Sequence, residues 1–460
     1  MSPKVTVGDN PCRPLRQRVY LAHRQSPPTG SHGSHVISSA LPTTPREELG
    51  APADATPRFA LPTVTALFFT WGFLTALNDI LIPHLRGVFD LSYTQAALVQ
   101  FTFFGAYFLT SLPWGRVVTR LGYKRGIVIG LGVAGIGALL FLPAAATLSY
   151  GLFLAALFIL ASGIALLQVA ANPYVTVLGP PATASSRLVL TQAFNSLGTT
   201  LAPLIGGYLI FAATNHPGAS TAERLATART VQAPYLGLGI ALFVLAGIMA
   251  ISRLPQIVPH EDASVDDALP LPASAWQVRH LMLGALAIFL YVGAEVGIGS
   301  FLINFFGERQ IASLPAATAA RYVAWYWGAA MVGRFFGAAL LRRVNAGTLL
   351  AVFAAAAALL TTTAVLTTGT LAMWTILAVG LCNSIMFPTI FTLAIHRLGR
   401  LTGQGSSILV TAIVGGALVP LALGALADRV GLQTAFILPA ACYLYIVYYG
   451  ARGARPSARG

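Results

Sequence analysis

Twelve long apolar stretches divide the sequence, and each is about as long as a lipid bilayer is thick. A helix needs roughly 20 apolar residues to cross the hydrocarbon layer. Lipid offers the backbone no hydrogen-bond partner outside a helix or a closed barrel. The stretches therefore predict an all-α integral membrane protein with twelve transmembrane helices. Their predicted bounds are 60–84, 93–114, 126–145, 150–178, 188–212, 233–254, 277–306, 320–341, 348–369, 371–396, 405–426 and 433–450.

The charge balance supports a membrane protein and indicates its orientation. Only 9% of the 460 residues are charged, whereas soluble domains carry about 25%. A net charge of +14 would suggest a nucleic-acid partner in a soluble protein. With the N-terminus inside, however, the cytoplasmic loops hold eleven Arg and Lys residues against six in the opposite loops. This asymmetry predicts a multi-pass protein of the bacterial inner (plasma) membrane with both termini cytoplasmic.

The polar segments predict the domain boundaries. Residues 255–276 form the longest polar break, with four acids and four prolines, and separate six spans from six. Residues 1–57 are rich in Pro, Ser and Arg and lack the apolar core of a secretory signal. We expect an N-terminal cytoplasmic disordered arm (1–57), a six-helix bundle (58–254), a central cytoplasmic loop (255–276), a second six-helix bundle (277–451) and a cytoplasmic tail (452–460).

The two halves resemble each other in sequence. "GTTLAPLIGG" (198–207) aligns with "GGALVPLALG" (415–424) at an offset of 217, and Pro173 and Pro388 match at an offset of 215. Parallel repeats of this kind form two bundles around an axis normal to the membrane, with the substrate site between them near mid-depth. The repeat predicts two pseudo-symmetric six-helix bundles.

Several polar residues within the spans also fall at related positions. Gln168 and Asn383 each lie five residues before Pro173 or Pro388, and Asp79 and Glu295 are 216 positions apart. A charge in hydrocarbon costs about 3 kcal/mol or more, so both acids are candidates to face a wet cavity. A protonated Glu295 held between helices and an interfacial Asp79 are the alternatives. Pro173 should also kink its helix and free a carbonyl near residue 169.

The amides of the spans suit a neutral polyol, because each offers two donors and an acceptor to hydroxyl groups. Gln168 and Asn172 are four residues apart and share a helix face. Hydrogen bonding between helices is the alternative role. Phe194, Trp71 and Tyr291 are candidates to contact a sugar ring. The candidate substrate-binding residues are Asn78, Gln168, Asn172, Gln192, Asn195, Asn304 and Asn383.

A basic loop, "GRVVTRLGYKRG", follows the second span. Such a loop can simply fix the orientation of the chain in the membrane and attract anionic lipid. The more specific hypothesis is that its basic residues form a gate at the cytoplasmic face. The candidate gating residues are Arg116, Arg120, Lys124, Arg125 and Arg334. No HExxH, CxxC, GxSxG or phosphate-loop motif occurs. We therefore expect no enzyme activity, no metal site, no cofactor and no self-contained ATP-driven pump.

Four motifs carry a resemblance to a known family: "NDILIP", "AANPYVTVLGP", "TQAFNSLG" and "FPTIFTLAI". With the basic loop, they resemble the fucose permease family of the major facilitator superfamily over residues 58–451. In that family an Asp of the first helix and a Glu of the fourth serve the proton and the sugar. Asp79 matches the Asp, whereas Gln168 stands at the Glu position and cannot titrate. "LLQVAANPY" with "YVGAEVGIGSFL" resembles the glucose/galactose transporter branch.

The resemblance implies a monomeric secondary active transporter with the major facilitator fold. It would import a glucose/galactose-type hexose by proton symport and alternating access. Asp79 is the first candidate for proton coupling and Glu295 the second. A sodium-coupled sugar symporter, a drug/proton antiporter and a non-transporting sugar sensor are the alternatives.

Overall fold

The computed structural model describes residues 60–89, 93–210, 220–252, 254–255 and 272–455, with the backbone alone at 77–88, 93–97, 203–210, 221 and 316–317. This part of the chain is helical. The helices are α1 (Ala60–Phe89), α2 (Tyr93–Leu121), α3 (Tyr123–Ala146), α4 (Tyr150–Val177), α5 (Ala184–Ile210), α6 (Thr221–Arg229), α7 (Gln232–Ile251), α8 (Arg279–Gly307), α9 (Ala316–Leu340), α10 (Ala346–Leu366), α11 (Gly369–Asn383), α12 (Met386–Ala394), α13 (Thr402–Thr411), α14 (Gly415–Val430), α15 (Leu432–Ala435) and α16 (Ile437–Tyr448).

The twelve predicted spans are confirmed, and three of them are interrupted. The tenth span divides into α11 and α12, the eleventh into α13 and α14, and the twelfth into α15 and α16. Pro388 explains the first break, because a proline ring clashes with the carbonyl four residues earlier and donates no hydrogen bond. Within the described residues, eight helical stretches are long and apolar enough to cross a membrane.

One helix falls outside the twelve spans. α6 (Thr221–Arg229) is short and polar, and it precedes the membrane-spanning α7. Ser220 and Glu223 cap its N-terminus reciprocally, each side chain accepting a hydrogen bond from the other's backbone N–H. A search for apolar stretches does not detect such a helix, although the capping residues are visible in the sequence.

Close glycine contacts hold corresponding helices together in the two halves, α1–α7 and α8–α16. A Cβ at Gly198 in α5 would overlap the Phe69 carbonyl of α1, and a Cβ at Gly415, which begins α14, would overlap the Phe289 carbonyl of α8. Phe69 and Phe289 are 220 positions apart. By this packing Glu295 corresponds to Thr75, one helical turn before Asp79 and on the same face of α1.

The N-terminal end of α5 is fixed by one arginine. Arg187 donates hydrogen bonds to the backbone carbonyls of Val175, Thr176, Gly179 and Pro180, at 2.6–3.2 Å, and a further one to the Thr183 hydroxyl. The last carbonyls of a helix have no intrahelical partner. The guanidinium therefore caps α4 and holds the turn that leads into α5.

The two halves meet where α4 passes into α5. Ser185 and Thr392 share a 2.6 Å hydrogen bond, Ser186 donates to the Ala338 carbonyl at 2.6 Å, and Ser406 donates to the Val169 carbonyl at 2.8 Å. We call these three hydrogen bonds the seam. They join α5 to α12, α5 to α9, and α4 to α13.

Candidate functional site

A hydrogen bond between an amide and a tyrosine lies at the centre of the first half. Gln168 in α4 is buried and donates from Nε2 to the Tyr107 hydroxyl of α2 at 2.9 Å. Its burial follows from the apolar and small residues that surround it in "GIALLQVAAN", all of them buried. This part of α4 therefore faces protein and not lipid.

The second half repeats this hydrogen bond. Asn383 at the end of α11 donates from Nδ2 to the Tyr326 hydroxyl of α9 at 2.8 Å. Gln168 and Asn383 are 215 positions apart, and Tyr107 and Tyr326 are 219 apart. The repeat thus relates both partners of the pair. The two tyrosines are absent from the sequence-based set, although the repeat offset could have identified them.

Several buried polar atoms around these pairs have no hydrogen-bond partner within the described protein. Buried polar groups are nearly always hydrogen-bonded in folded proteins. A concentration of exceptions therefore indicates groups available to a ligand or to water. The unpartnered atoms in this region are Asn172 Nδ2 and Oδ1, Gln192 Nε2, Asn383 Oδ1, Glu295 Oε1 and Tyr443 Oη.

Glu295 lies in the middle of α8. The Tyr326 hydroxyl donates to the Glu295 backbone carbonyl oxygen at 3.3 Å. Tyr291, one turn earlier in α8, donates to the Asn383 carbonyl oxygen at 3.0 Å. These contacts connect Glu295 to the amide of the second half.

Arg334 reaches from the second half to the first. Its Nε donates to the Ser384 carbonyl at 3.1 Å, and its Nη1 donates to the Gln192 carbonyl at 3.4 Å and to the Ser196 hydroxyl. Pro388 follows Ser384 by four residues and leaves that carbonyl without an intrahelical donor. Arg334 therefore bridges α9, the break between α11 and α12, and α5.

Three other predicted binding residues lie elsewhere or are not described. The Asn195 amide donates to the Phe68 carbonyl of α1 at 2.9 Å, so it joins α5 to α1. Asn304 is exposed near the end of α8. It lies nine residues after Glu295 and so on the opposite face of the helix. Asn78 and Asp79 belong to α1, and their side chains lie outside the described residues.

The basic loop residues are not part of the seam. Arg116, Arg120 and Arg125 are exposed. Lys124 donates to the Ser252 carbonyl at 2.7 Å, which joins the start of α3 to the end of α7 in the same half. Of the five predicted gating residues, Arg334 is the one placed between the halves.

The three aromatic candidates have different surroundings. Phe194 in α5 contacts Phe335 of α9 edge to face across the halves, with ring centroids 5.9 Å apart. Trp71 is buried against Phe68 of its own helix. Tyr291 is buried and hydrogen-bonded. Only Phe194 therefore combines a half-buried ring with a position between the halves.

An apolar groove of about 620 Å³ lies away from these polar groups, between α9 and α11. Trp325 and Trp374 line it, and both are more than half exposed. Its lining offers a sugar almost no hydrogen-bond partner, so this groove is a poor candidate for a sugar site. Among the side chains that the structure describes, no cluster of three His, Cys, Asp or Glu residues could hold a metal ion.

Comparison with known proteins identifies the class. The family model of the Major Facilitator Superfamily matches residues 63–419. A glucose/galactose transporter of Brucella abortus is 57% identical over 397 residues, which are 86% of this chain and 94% of that protein. An L-fucose-proton symporter of Escherichia coli is 35% identical over 407 residues, which are 85% of this chain and 92% of that protein.

Solved structures agree with the sequence comparison. The crystal structure of FucP, a Major Facilitator Superfamily transporter in the outward conformation, superposes with a TM-score of 0.79 at 32% identity and covers 87% of this chain and 100% of that one. The fold and these relatives thus define a two-bundle membrane transporter. The chain belongs to the Major Facilitator Superfamily, and its relatives confirm the resemblance to fucose permeases and glucose/galactose transporters. It is a multi-pass inner-membrane protein.

Proposed function

We propose that this chain imports a glucose/galactose-type hexose together with a proton, by alternating access between its two halves. The relatives supply the substrate class, since they are named as glucose/galactose transporters and, more distantly, as L-fucose-proton symporters. No enzyme activity and no cofactor are part of this proposal. The proposal places both termini in the cytoplasm, with residues 1–57 as an arm and 255–276 as the central loop; residues 1–57 and most of 255–276 lie outside the described part of the chain.

The observation that carries the proposal is the group of unpartnered buried polar atoms that both halves contribute. Asn172 and Gln192 are buried in the first half, and Asn383 is buried in the second. Each leaves at least one amide atom without a protein partner. Amide groups pair with hydroxyls as both donor and acceptor. A neutral sugar would satisfy these atoms from both sides at once, which favours binding between the halves.

Gln168 supports recognition and not proton transfer. Its amide cannot titrate, and its Nε2 is already used by Tyr107. One of the two acids must therefore carry the coupled proton, with Asp79 as the first candidate and Glu295 as the second. A membrane potential of 100 mV supplies about 2.3 kcal/mol per transported charge. Coupling to one proton would thus support roughly forty-fold accumulation at that potential.

The seam supports a state that is closed at one end of the two halves. Its hydrogen bonds close the halves at the α4–α5 end, which is the cytoplasmic end in the proposed orientation. This agrees with the superposition on FucP in its outward conformation. In the proposed cycle, sugar and proton enter from outside, and breaking the seam releases them to the cytoplasm.

The test is uptake of labelled glucose and galactose into proteoliposomes with an imposed proton or sodium gradient. We expect uphill uptake with the proton gradient alone and its loss with a protonophore. Uptake that needs sodium and resists the protonophore would make sodium the coupling ion. Efflux of lipophilic dyes would instead support a drug antiporter, and sugar binding without counterflow would support a sensor. Galactose, glucose and L-fucose are compared as competitors.

A further inference from the structure

Arg334 joins the backbones beside two of the amides that the proposed sugar site uses. Its Nη1 donates to the Gln192 carbonyl of α5 at 3.4 Å, and its Nε donates at 3.1 Å to the Ser384 carbonyl, next to Asn383. Gln192 Nε2 and Asn383 Oδ1 are both buried without a hydrogen-bond partner among the described residues. One guanidinium therefore links two segments, one in each half, that carry an unpartnered amide atom.

The Ser384 end of this link is built into the second half. Pro388 lacks the N–H that would bond the Ser384 carbonyl, so this acceptor is free for Arg334. The neighbouring Asn383 is held separately, since its Nδ2 donates to the Tyr326 hydroxyl at 2.8 Å. Arg334 and Tyr326 both belong to α9. The Asn383 amide and the guanidinium therefore keep a fixed relation to each other within the second half.

The other end of the link crosses to the first half. Arg334 donates to the Ser196 hydroxyl as well as to the Gln192 carbonyl, and these two residues are four apart on one face of α5. A guanidinium presents its N–H groups in a rigid planar fork, so bonds at two places fix the direction in which it holds α5. About one turn further along both helices, the Thr200 hydroxyl lies 3.6 Å from the Met331 sulfur and extends the contact.

The link lies deeper in the protein than the seam and opens with it. Ser186 and Ser196 are ten residues apart in α5, which places the Arg334 contacts about 15 Å from the seam along the helix. Both sets of contacts join α5 to α9. In the proposed cycle, the movement that separates these helices at the seam therefore also draws α5 away from Arg334.

We propose that Arg334 is a positioning residue of the sugar site, which sets the distance between the Gln192 and Asn383 amides. Both amides reach one hexose only while α5 and α9 are joined. When the halves part on the cytoplasmic side, the guanidinium stays with the Ser384 carbonyl and leaves α5. The amides then separate, so the hexose is held strongly in the state closed to the cytoplasm and weakly in the open state. This inference rests on the proposed function for the identity of the ligand.

Sugar binding to the protein in detergent tests the positioning, with D-galactose and D-glucose as the probes. Arg334→Lys keeps the charge but cannot reach both segments at once. We expect its affinity for sugar to fall about tenfold, which corresponds to about one lost hydrogen bond. Arg321→Lys, at an exposed arginine of the same helix, is the matched control and should bind as the parent. Equal affinities of Arg334→Lys and the parent would overturn the proposal.

A double-mutant cycle separates positioning from a general loss of stability. In a Gln192→Ala background the amide that Arg334 positions is absent, so Arg334→Lys should lower the affinity less than about twofold. In a Thr199→Ala background, which removes a hydroxyl bonded within its own helix, the loss of about tenfold should persist. Equal losses in both backgrounds would show that Arg334 acts independently of Gln192 and would refute the positioning role. Ser196→Ala enters the same cycle should Arg334→Lys fail to fold.

A cross-linking experiment without sugar tests the link itself. Thr200→Cys and Met331→Cys, in a chain whose three native cysteines are replaced by alanine, are joined by a short bifunctional methanethiosulfonate. The yield should fall in Arg334→Lys and stay at the parent value in Arg321→Lys, and equal yields in the two would contradict the proposal. A parent protein that binds neither hexose but shows this dependence would lose the proposed function and retain Arg334 as the residue that sets the spacing of the two amides.

Discussion

The Ser406 hydroxyl donates a 2.8 Å hydrogen bond across the seam to the Val169 carbonyl oxygen, which Pro173 leaves without a donor in its own helix. A proline removes the N–H that would bond the carbonyl four residues earlier. The kinked segment of α4 therefore provides an acceptor for the other half. Pro388 likewise frees the Ser384 carbonyl, which accepts from Arg334 of the same half.

The first prediction concerns this proline and serine. Ser406→Ala should lower the free energy of unfolding by about 1 kcal/mol, because one net hydrogen bond is lost. Pro173→Ala supplies an N–H to the same carbonyl, so Ser406→Ala should cost less in that background. Thermal unfolding of the four proteins in detergent gives the coupling energy. Additive effects would show that Ser406 and Pro173 act independently.

The second prediction concerns the repeated amide–tyrosine pair. Tyr107→Phe and Tyr326→Phe each leave a buried amide N–H without its acceptor, which costs about 1–3 kcal/mol. We expect both to lower the unfolding temperature and to weaken sugar binding. Tyr235→Phe is the control, since that buried ring stacks on Phe141 with centroids 4.1 Å apart. Equal losses in all three variants would remove any special role for the pairs.

The third prediction separates sugar movement from proton coupling. Asp79→Asn should abolish uphill accumulation while sugar counterflow, which needs no net proton movement, continues. Gln168→Ala should instead raise the KM for sugar with coupling retained. Uptake and counterflow are measured in the same proteoliposomes. Unchanged uphill uptake by Asp79→Asn would transfer the coupling role to Glu295.

The fourth prediction concerns the close approach of α1 to α5. Gly198→Ala should destabilise the protein, because its Cβ would overlap the Phe69 carbonyl and two helices would have to separate. Gly105→Ala, where nothing lies within 4 Å of the added Cβ, should be neutral or stabilising by about 0.5–1 kcal/mol. Unfolding temperatures of the two variants compare the sites directly; a Gly198→Ala protein as stable as the parent would contradict this packing.

The fifth prediction concerns the turn between α4 and α5. Arg187→Lys should open the seam, because a lysine cannot reach the five acceptors that Arg187 bonds at once. Ser185 and Ser186 come directly after this turn, so they would no longer be aligned with Thr392 and the Ala338 carbonyl across the seam. The rate at which a maleimide labels a cysteine placed at the buried Ala338 should rise, whereas Arg116→Lys, at an exposed arginine, should leave this rate unchanged. An equal rise in both variants would show that the effect does not depend on the hydrogen bonds of Arg187.

The helices were predictable because apolar length and the repeat are properties of the chain itself. The freed carbonyl near residue 169 was predictable for the same reason, because a proline always lacks the N–H that would bond the carbonyl four residues earlier. The hydrogen-bond partners of the polar residues were not predictable from the sequence. Asn195 bonds a carbonyl of α1 and Asn304 is exposed, because the rotation of each helix in the bundle decides such contacts. The break at 412–414 depends on tertiary packing in the same way, whereas Pro388 accounts for the break at 384–385.

The seam, made of hydroxyls against hydroxyls and carbonyls, has a consequence for the speed of the cycle. Each such hydrogen bond contributes about 0.5–1.5 kcal/mol net, so three of them total a few kcal/mol. A membrane potential of 100 mV supplies about 2.3 kcal/mol per charge, which is of the same size. The closed end is therefore strong enough to exclude the cytoplasm yet weak enough to be opened by a single proton, and the switch should be nearly insensitive to ionic strength.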